Sequence, residues 1–127
     1  MVPYPKLKRY VVTITTNASG DGSGSTPIVN GRVLAIHYIK TDYANGVDFD
    51  VDTSVSSVVI WSQDNVNASA SVFPRKQVTD TAGVGLTLDG TRTMNEPIPV
   101  ANETIDIVVA QGGDTKTGTF HIIVESA

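Results

Sequence analysis

Three aspartates at alternate positions, Asp48, Asp50 and Asp52, come nearest in this chain to a set of side chains that could do chemistry. Alternating carboxylates at the start of a loop can converge on one hard cation, as in the helix–loop–helix calcium sites. Such a loop needs glycine at its sixth position and glutamate at its twelfth. Counted from Asp48, these are Thr53 and Val59. On a strand, next-but-one carboxylates share a face but stand ~7 Å apart, too far to share one ion unaided. The aspartates therefore read as a solvated strand face, and no metal ligand is expected.

His37 and His121 are the only histidines. A cupin-type metal site needs two histidines one residue apart, with a third histidine and a glutamate, and the chain has no such pair. His37 alternates with Val33, Ala35 and Ile39, which reads as a packed, hydrogen-bonded core or interface histidine. Should the two rings meet across strands, their contact would respond to pH. The segment GDGSGST at 20–26 lacks the lysine of a phosphate-cradling loop, and no helix follows it. There is no G-x-S-x-G elbow and no cysteine, so no activated serine motif or thiol nucleophile is on offer. No catalytic residue and no cofactor are expected, and the chain is read as a non-enzyme.

The elements that would carry these side chains are strands. VVTITT, RVLAIHYIK, VDFDV, SVVIW, TIDIVVA and TFHIIVES are β-branched runs broken by Asn-Gly, Asp-Gly and Gly-Gly-Asp turns. No amphipathic helical stretch of useful length interrupts them. The expected fold is an all-β antiparallel sandwich, jelly-roll-like, of about seven to nine strands. Residues 1–9 read as an extended arm because of Pro3 and Pro5, and 10–127 as a single sandwich domain. NASGDGSGST at 17–26 reads as a linker-like loop without core residues. Asn45-Gly46 is expected to turn 32–42 back into 47–53 as a hairpin. Thr104–Ala110 and Thr117–Glu125 are expected to form a second hairpin through Gln111–Asp114. The run around Trp61 belongs in the core, and 75–95 is polar and turn-rich, with a small hairpin at Asp89-Gly90. Apolar residues on both faces of 32–42 suggest cover by a second sheet on one side and by a loop or neighbouring subunit on the other.

At 127 residues the chain is long enough for one core, and with no cysteine it needs no disulfide. A formal net charge of -4 and a pI near 4.9 argue against a nucleic-acid partner. No apolar window approaches the ~20 residues of a membrane helix, and MVPYPKLKRY is not a secretory leader, so a soluble chain with no membrane partner is expected. The sequons at Asn17, Asn67 and Asn102 are accordingly expected to go unused. Charge is unevenly placed, with Lys6, Lys8 and Arg9 beside Tyr10 at the start and Arg75-Lys76 after Phe73-Pro74. These six, Lys6, Lys8, Arg9, Tyr10, Arg75 and Lys76, are the candidate partner-interface residues.

KLKRYVVTITT, GRVLAIHYIKTD leading into VDFDVDT, FPRKQVTDTAG, and EPIPVANETIDIVVAQGGDTKTGTFHIIVES together give the chain a pattern that resembles the small all-β virion proteins of tailed bacteriophages, the capsid decoration or cement type. The resemblance implies a jelly-roll or related sandwich, homo-oligomers with the trimer favoured, and binding to the major capsid protein without catalysis. It also implies assembly in the host cytoplasm and residence on the capsid surface. The alternative on the same fold is a carbohydrate- or receptor-binding module, for which Tyr4, Tyr38, Tyr43 and Trp61 are the aromatic candidates.

Overall fold

Alternation of β-branched and polar residues becomes strand almost everywhere in the computed structural model, which describes residues 6–126. The strands are β1 (Lys6–Thr15), β2 (Gly22–Ser25), β3 (Val29–Lys40), β4 (Val47–Thr53), β5 (Val59–Val66), β6 (Ala70–Val72), β7 (Lys76–Gln77), β8 (Asn95–Glu96), β9 (Ile98–Glu103), β10 (Ile105–Ala110) and β11 (Thr117–Ser126). Among the described residues no helix is present, so none is long and apolar enough to cross a membrane.

One sheet runs β1-β11-β3-β6, with β9 paired to the first half of β3 alongside β6; the other runs β2-β10-β4-β5. The pairings β1 with β11, β2 with β10, β3 with β6 and β4 with β5 are all antiparallel and nest inside one another. Successive pairs alternate between the sheets. A long two-stranded ribbon wrapped in this way is a jelly roll, so the expected architecture stands.

The nesting overturns both expected hairpins. β3 and β4 lie in different sheets, so Asn45-Gly46 belongs to a crossover, although Gly46 does take a positive φ of 90°. β10 and β11 also lie in different sheets, and the link between them changes layer through positive φ at Gln111, Gly113 and Thr115. Tight-turn residues mark where a chain reverses, but they carry no information about which strand it then pairs with.

Two further readings change. Lys6–Arg9, assigned by sequence to an arm, are paired in β1 with Ile123–Ser126; the rest of that arm, residues 1–5, lies outside the described residues. Gly22–Ser25, read as linker, form β2. A Cβ on Gly22 would sit 2.8 Å from Ile14 Cγ2, and one on Gly24 2.8 Å from Val12 Cγ1. The two sheets approach so closely there that only glycine fits, and the absence of side chains is the packing solution.

The core lies between the sheets. Val12, Ile14, Val33, Ile36, Tyr38, Phe120 and Ile122 meet Val47, Phe49, Val51, Ile60, Trp61, Ile105, Ile107 and Val109. Both neighbours Ile60 and Trp61 are buried because the β4–β5 register shifts beside Val51, which breaks the alternation. Phe49 is the hub of the rings, with centroids 4.6 Å from Tyr38, 4.9 Å from Phe120 and 5.5 Å from Trp61. The Tyr43 hydroxyl donates to the Ile14 carbonyl at 2.6 Å, whereas the buried Tyr38 hydroxyl has no partner, and burial pushes its pKa up to about 12.

At one end of the sandwich, buried Glu103 holds the β4–β5 turn. Its Oε1 accepts from the backbone N–H groups of Val55 at 2.8 Å and Ser56 at 2.9 Å, and its Oε2 accepts from Ser56 Oγ at 2.8 Å. The Ser56 and Val55 N–H groups hold its carboxyl below the usual range, because such donors bond a carboxylate more strongly than a protonated carboxyl. A depressed folded pKa adds stability that is present above the unfolded value, near 4.5, and is lost as pH falls through the folded one. Urea midpoints taken from about pH 6 down to about pH 3 should therefore fall less steeply in Glu103→Gln than in the parent. Equal slopes would show that Glu103 does not contribute to acid sensitivity.

Candidate interaction surface

Three of the six residues singled out by charge, with Tyr10, lie on β1. Lys6, Lys8 and Arg9 are exposed, Tyr10 is half-buried against the core, and Lys8 Nζ sits 4.9 Å from the Tyr10 ring centroid. Arg75 and Lys76 lie beyond the other edge of the same sheet. With β11 and β3 between β1 and β6, the two groups are separated by about 14 Å of sheet. The structure therefore does not gather the six into one patch. Arg75 is also engaged within the fold, since its Nη1 donates to the carbonyls of Leu34 at 3.1 Å and Pro74 at 2.8 Å.

What spans the gap is the outer face of the β1-β11-β3-β6 sheet, which has a row of side chains in one register: Val11, His121, His37 and Ser71. Arg9 Nη1 donates to His121 Nδ1 at 3.1 Å, and His37 Nδ1 is hydrogen-bonded to Ser71 Oγ at 2.8 Å. The two histidines are thus direct cross-strand neighbours on the outside of the sandwich, each ring bonded to a different partner, which places His37 off the core. The expected grouping of His37 with Val33 fails because the β3–β11 register shifts between Ile123 and Val124. The shift falls at Leu34, so Val33 turns inward while Ala35, His37 and Ile39 turn outward. Part of the cover expected from a loop or neighbouring subunit comes from this chain's own segment: Arg75 caps the Leu34 carbonyl, and the Phe73 ring meets His37 edge-on at 6.3 Å. Around the row, Leu7, Val11, Ile39 and Phe73 stay exposed.

The opposite outer face has a different chemistry. The strands of the β2-β10-β4-β5 sheet carry Asp48, Asp50, Asp52, Asp64 and Asp106 and no lysine or arginine; those of the first sheet carry Lys6, Lys8, Arg9, Arg32 and Lys40 against Glu103 and Glu125. Asp48 accepts from the Asn65 N–H and from Gln111 Nε2, Asp50 from Ser62 Oγ, and Asp106 from Ser25 Oγ and Thr104 Oγ1. The solvated strand face expected for 48–52 is what the sheet displays. Among the described residues, no group of three histidine or carboxylate side chains is placed to hold a metal ion. A shallow depression beside β10, lined by Asn17, Asp21, Ser23 and Val108, has no histidine, lysine or arginine in its wall. Of the aromatic candidates for sugar binding, Tyr38, Tyr43 and Trp61 are buried, and Tyr4 lies outside the described residues.

A third surface was only half legible. From Lys76 to Glu96 the chain leaves the sandwich as a projection, and every residue from Thr79 to Glu96 is exposed. The hairpin expected at Asp89-Gly90 is there, with Leu88 N–H donating to the Arg92 carbonyl at 2.7 Å and Asp89 paired with Arg92 at 2.9 Å. Three segments meet in a closed ring of backbone bonds: Val78 N–H to Met94, Met94 N–H to Leu86 and Leu86 N–H to Val78, at 2.7, 3.2 and 2.8 Å. The eight-residue spacing of Val78, Leu86 and Met94 and the alternation of Val84, Leu86 and Leu88 are the signals that could have found it.

No protein-family model matches the chain, and no curated protein matches it in sequence. Among solved structures it is similar to a chain of the virus-like particle of extra small virus from the giant freshwater prawn Macrobrachium rosenbergii. The match has 9% identity and a TM-score of 0.39, covering 98% of this chain and 80% of that one. A likeness so distant carries no argument about activity, and the functional reading rests on the surfaces described above.

Proposed function

We propose that the chain is a structural virion protein of the decoration type, which binds the outside of a phage capsid, bridges its major capsid protein subunits and catalyses nothing. The observation that carries this reading is the two-faced sandwich: one outer face mixes exposed apolar side chains with Arg9 and paired histidines, and the other is lined with aspartates. Aromatic, aliphatic and arginine side chains without a concave polar site are what protein-binding surfaces offer. In this reading the Arg9 face lies against the capsid, the aspartate face points to the medium, and the protein works as a homo-oligomer, with the trimer favoured.

Co-sedimentation with purified, expanded phage heads tests the reading. The protein should pellet with heads in a fixed ratio to the major capsid protein. Arg9→Glu should weaken binding by about tenfold and Asp50→Lys should leave it unchanged, because only the first charge meets the partner. Absence of co-sedimentation, or a greater effect from Asp50→Lys than from Arg9→Glu, overturns it.

A further inference from the structure

The projection has two unlike faces. Directly opposed residues of paired strands share a face, so Val78, Leu86 and Met94, each opposite the other two, stand together. Val84 and Leu88 join them as next-but-one neighbours of Leu86. Gln77, Thr79, Thr87, Thr93 and Asn95 occupy the reverse face. Strands with this alternation normally bury the apolar side, yet here Val84 is 61% exposed, Leu88 66% and Met94 41%. The sandwich does not cover them.

We infer that this apolar face docks on the same face of a second copy of the chain, about a two-fold axis. The charges around it select that occupant. Lys76 stands opposite Glu96, Asp80 opposite Val84 and Arg92 opposite Leu88, with Asp89 paired to Arg92, so the rim of the apolar face has both signs, two cations (Lys76, Arg92) and three anions (Asp80, Asp89, Glu96). A rim of mixed sign, with one anion in excess, gives little attraction to a strongly acidic or basic partner. Turned on itself by a two-fold rotation, it can set Lys76 against Glu96 and the Arg92–Asp89 pair against Asp80, which is the self-complementarity of an isologous contact.

The size of the face sets the strength. Five aliphatic side chains of roughly 50 Å² of accessible surface apiece make the face, so the two faces bury about 500 Å² between them. Stable dimers bury about 1,200–2,000 Å². The contact is therefore weak in dilute solution and gains weight where copies are held close together, as on a particle surface. The inference goes beyond the proposed function, since a two-fold contact is neither the trimer nor the capsid contact, so it is tested on the isolated protein.

The chain has no cysteine, so a single introduced thiol reports one position. Leu86→Cys and Thr87→Cys place it on the apolar and the polar face, respectively. A bis-maleimide about 10 Å long matches the spacing of packed sheets. With the full-length protein near 0.1 mM, Leu86→Cys should cross-link into a dimer at least about tenfold faster than Thr87→Cys, and adding Leu88→Asp should remove that excess. Circular dichroism confirms that each variant keeps its strands. Equal cross-linking at the two positions, or an excess that survives Leu88→Asp, overturns the inference. Co-sedimentation with heads that persists after such a failure would leave the capsid reading standing alone.

Discussion

Phe49→Ala is expected to remove about 4 kcal/mol of folding stability, the upper part of the range for deleting a buried ring. Phe49 is fully buried on β4 and touches rings from three directions: Tyr38 and Phe120 from the facing sheet, and Trp61 from the neighbouring strand. The rings around the void are held by both sheets, so the site cannot collapse without separating backbone from backbone. A domain of this size has about 5–15 kcal/mol in hand, so the loss is a large share of the total. Phe49→Leu keeps most of the volume and should cost about 1 kcal/mol. Urea denaturation of the three proteins checks the ordering, with the leucine variant carrying the comparison if the alanine variant is unfolded at 25 °C. An alanine loss below about 1.5 kcal/mol would show that the ring cluster does not tie the sheets together.

The strands that face the core were legible because their periodicity is uninterrupted. Val47, Phe49 and Val51 face inward and Asp48, Asp50 and Asp52 outward, as alternation requires, and the same holds for Ile105, Ile107 and Val109 and for Phe120, Ile122 and Val124. Reading failed where one residue shifts the register. Leu34 does this in β3, and the histidine row moves from the core side to the outside because of it. It failed again at Gly22 and Gly24, where the strand is held by backbone pairing to β10 and by close approach to Val12 and Ile14, neither of which leaves an apolar trace in the sequence. Partnership between strands is a long-range property. The turn residues at Asn45-Gly46 and Gln111–Asp114 record only that the chain bends. The candidate surface was legible as two clusters of charge, but the sheet that separates them, and the apolar face of the projection between β6 and β9, emerge only once the pairing is known.

The second large effect is expected at Gly118, where adding one methyl should cost about 3 kcal/mol. A Cβ there would overlap the Tyr43 ring at Cε2, Cδ2 and Cζ, all closer than carbon atoms approach in folded proteins. The ring has no easy retreat. It is buried, it lies 6.1 Å from the Tyr38 ring in a stacked arrangement, and its hydroxyl is bonded to the Ile14 carbonyl, which belongs to the residue that pairs with Gly118. Gly118→Ala must therefore push β11 away from the ring or break the hydroxyl bond. Overpacking costs about 1–3 kcal/mol and the lost hydrogen bond about 1 more. The Gly118 φ is not in the left-handed region, so backbone strain adds nothing and the whole effect belongs to the ring. A double-mutant cycle separates these causes: in a Tyr43→Leu background the flat ring is gone, and Gly118→Ala should then cost less than about 1 kcal/mol. If the alanine penalty is the same in both backgrounds, the contact between Tyr43 and Gly118 is not what requires glycine at this position.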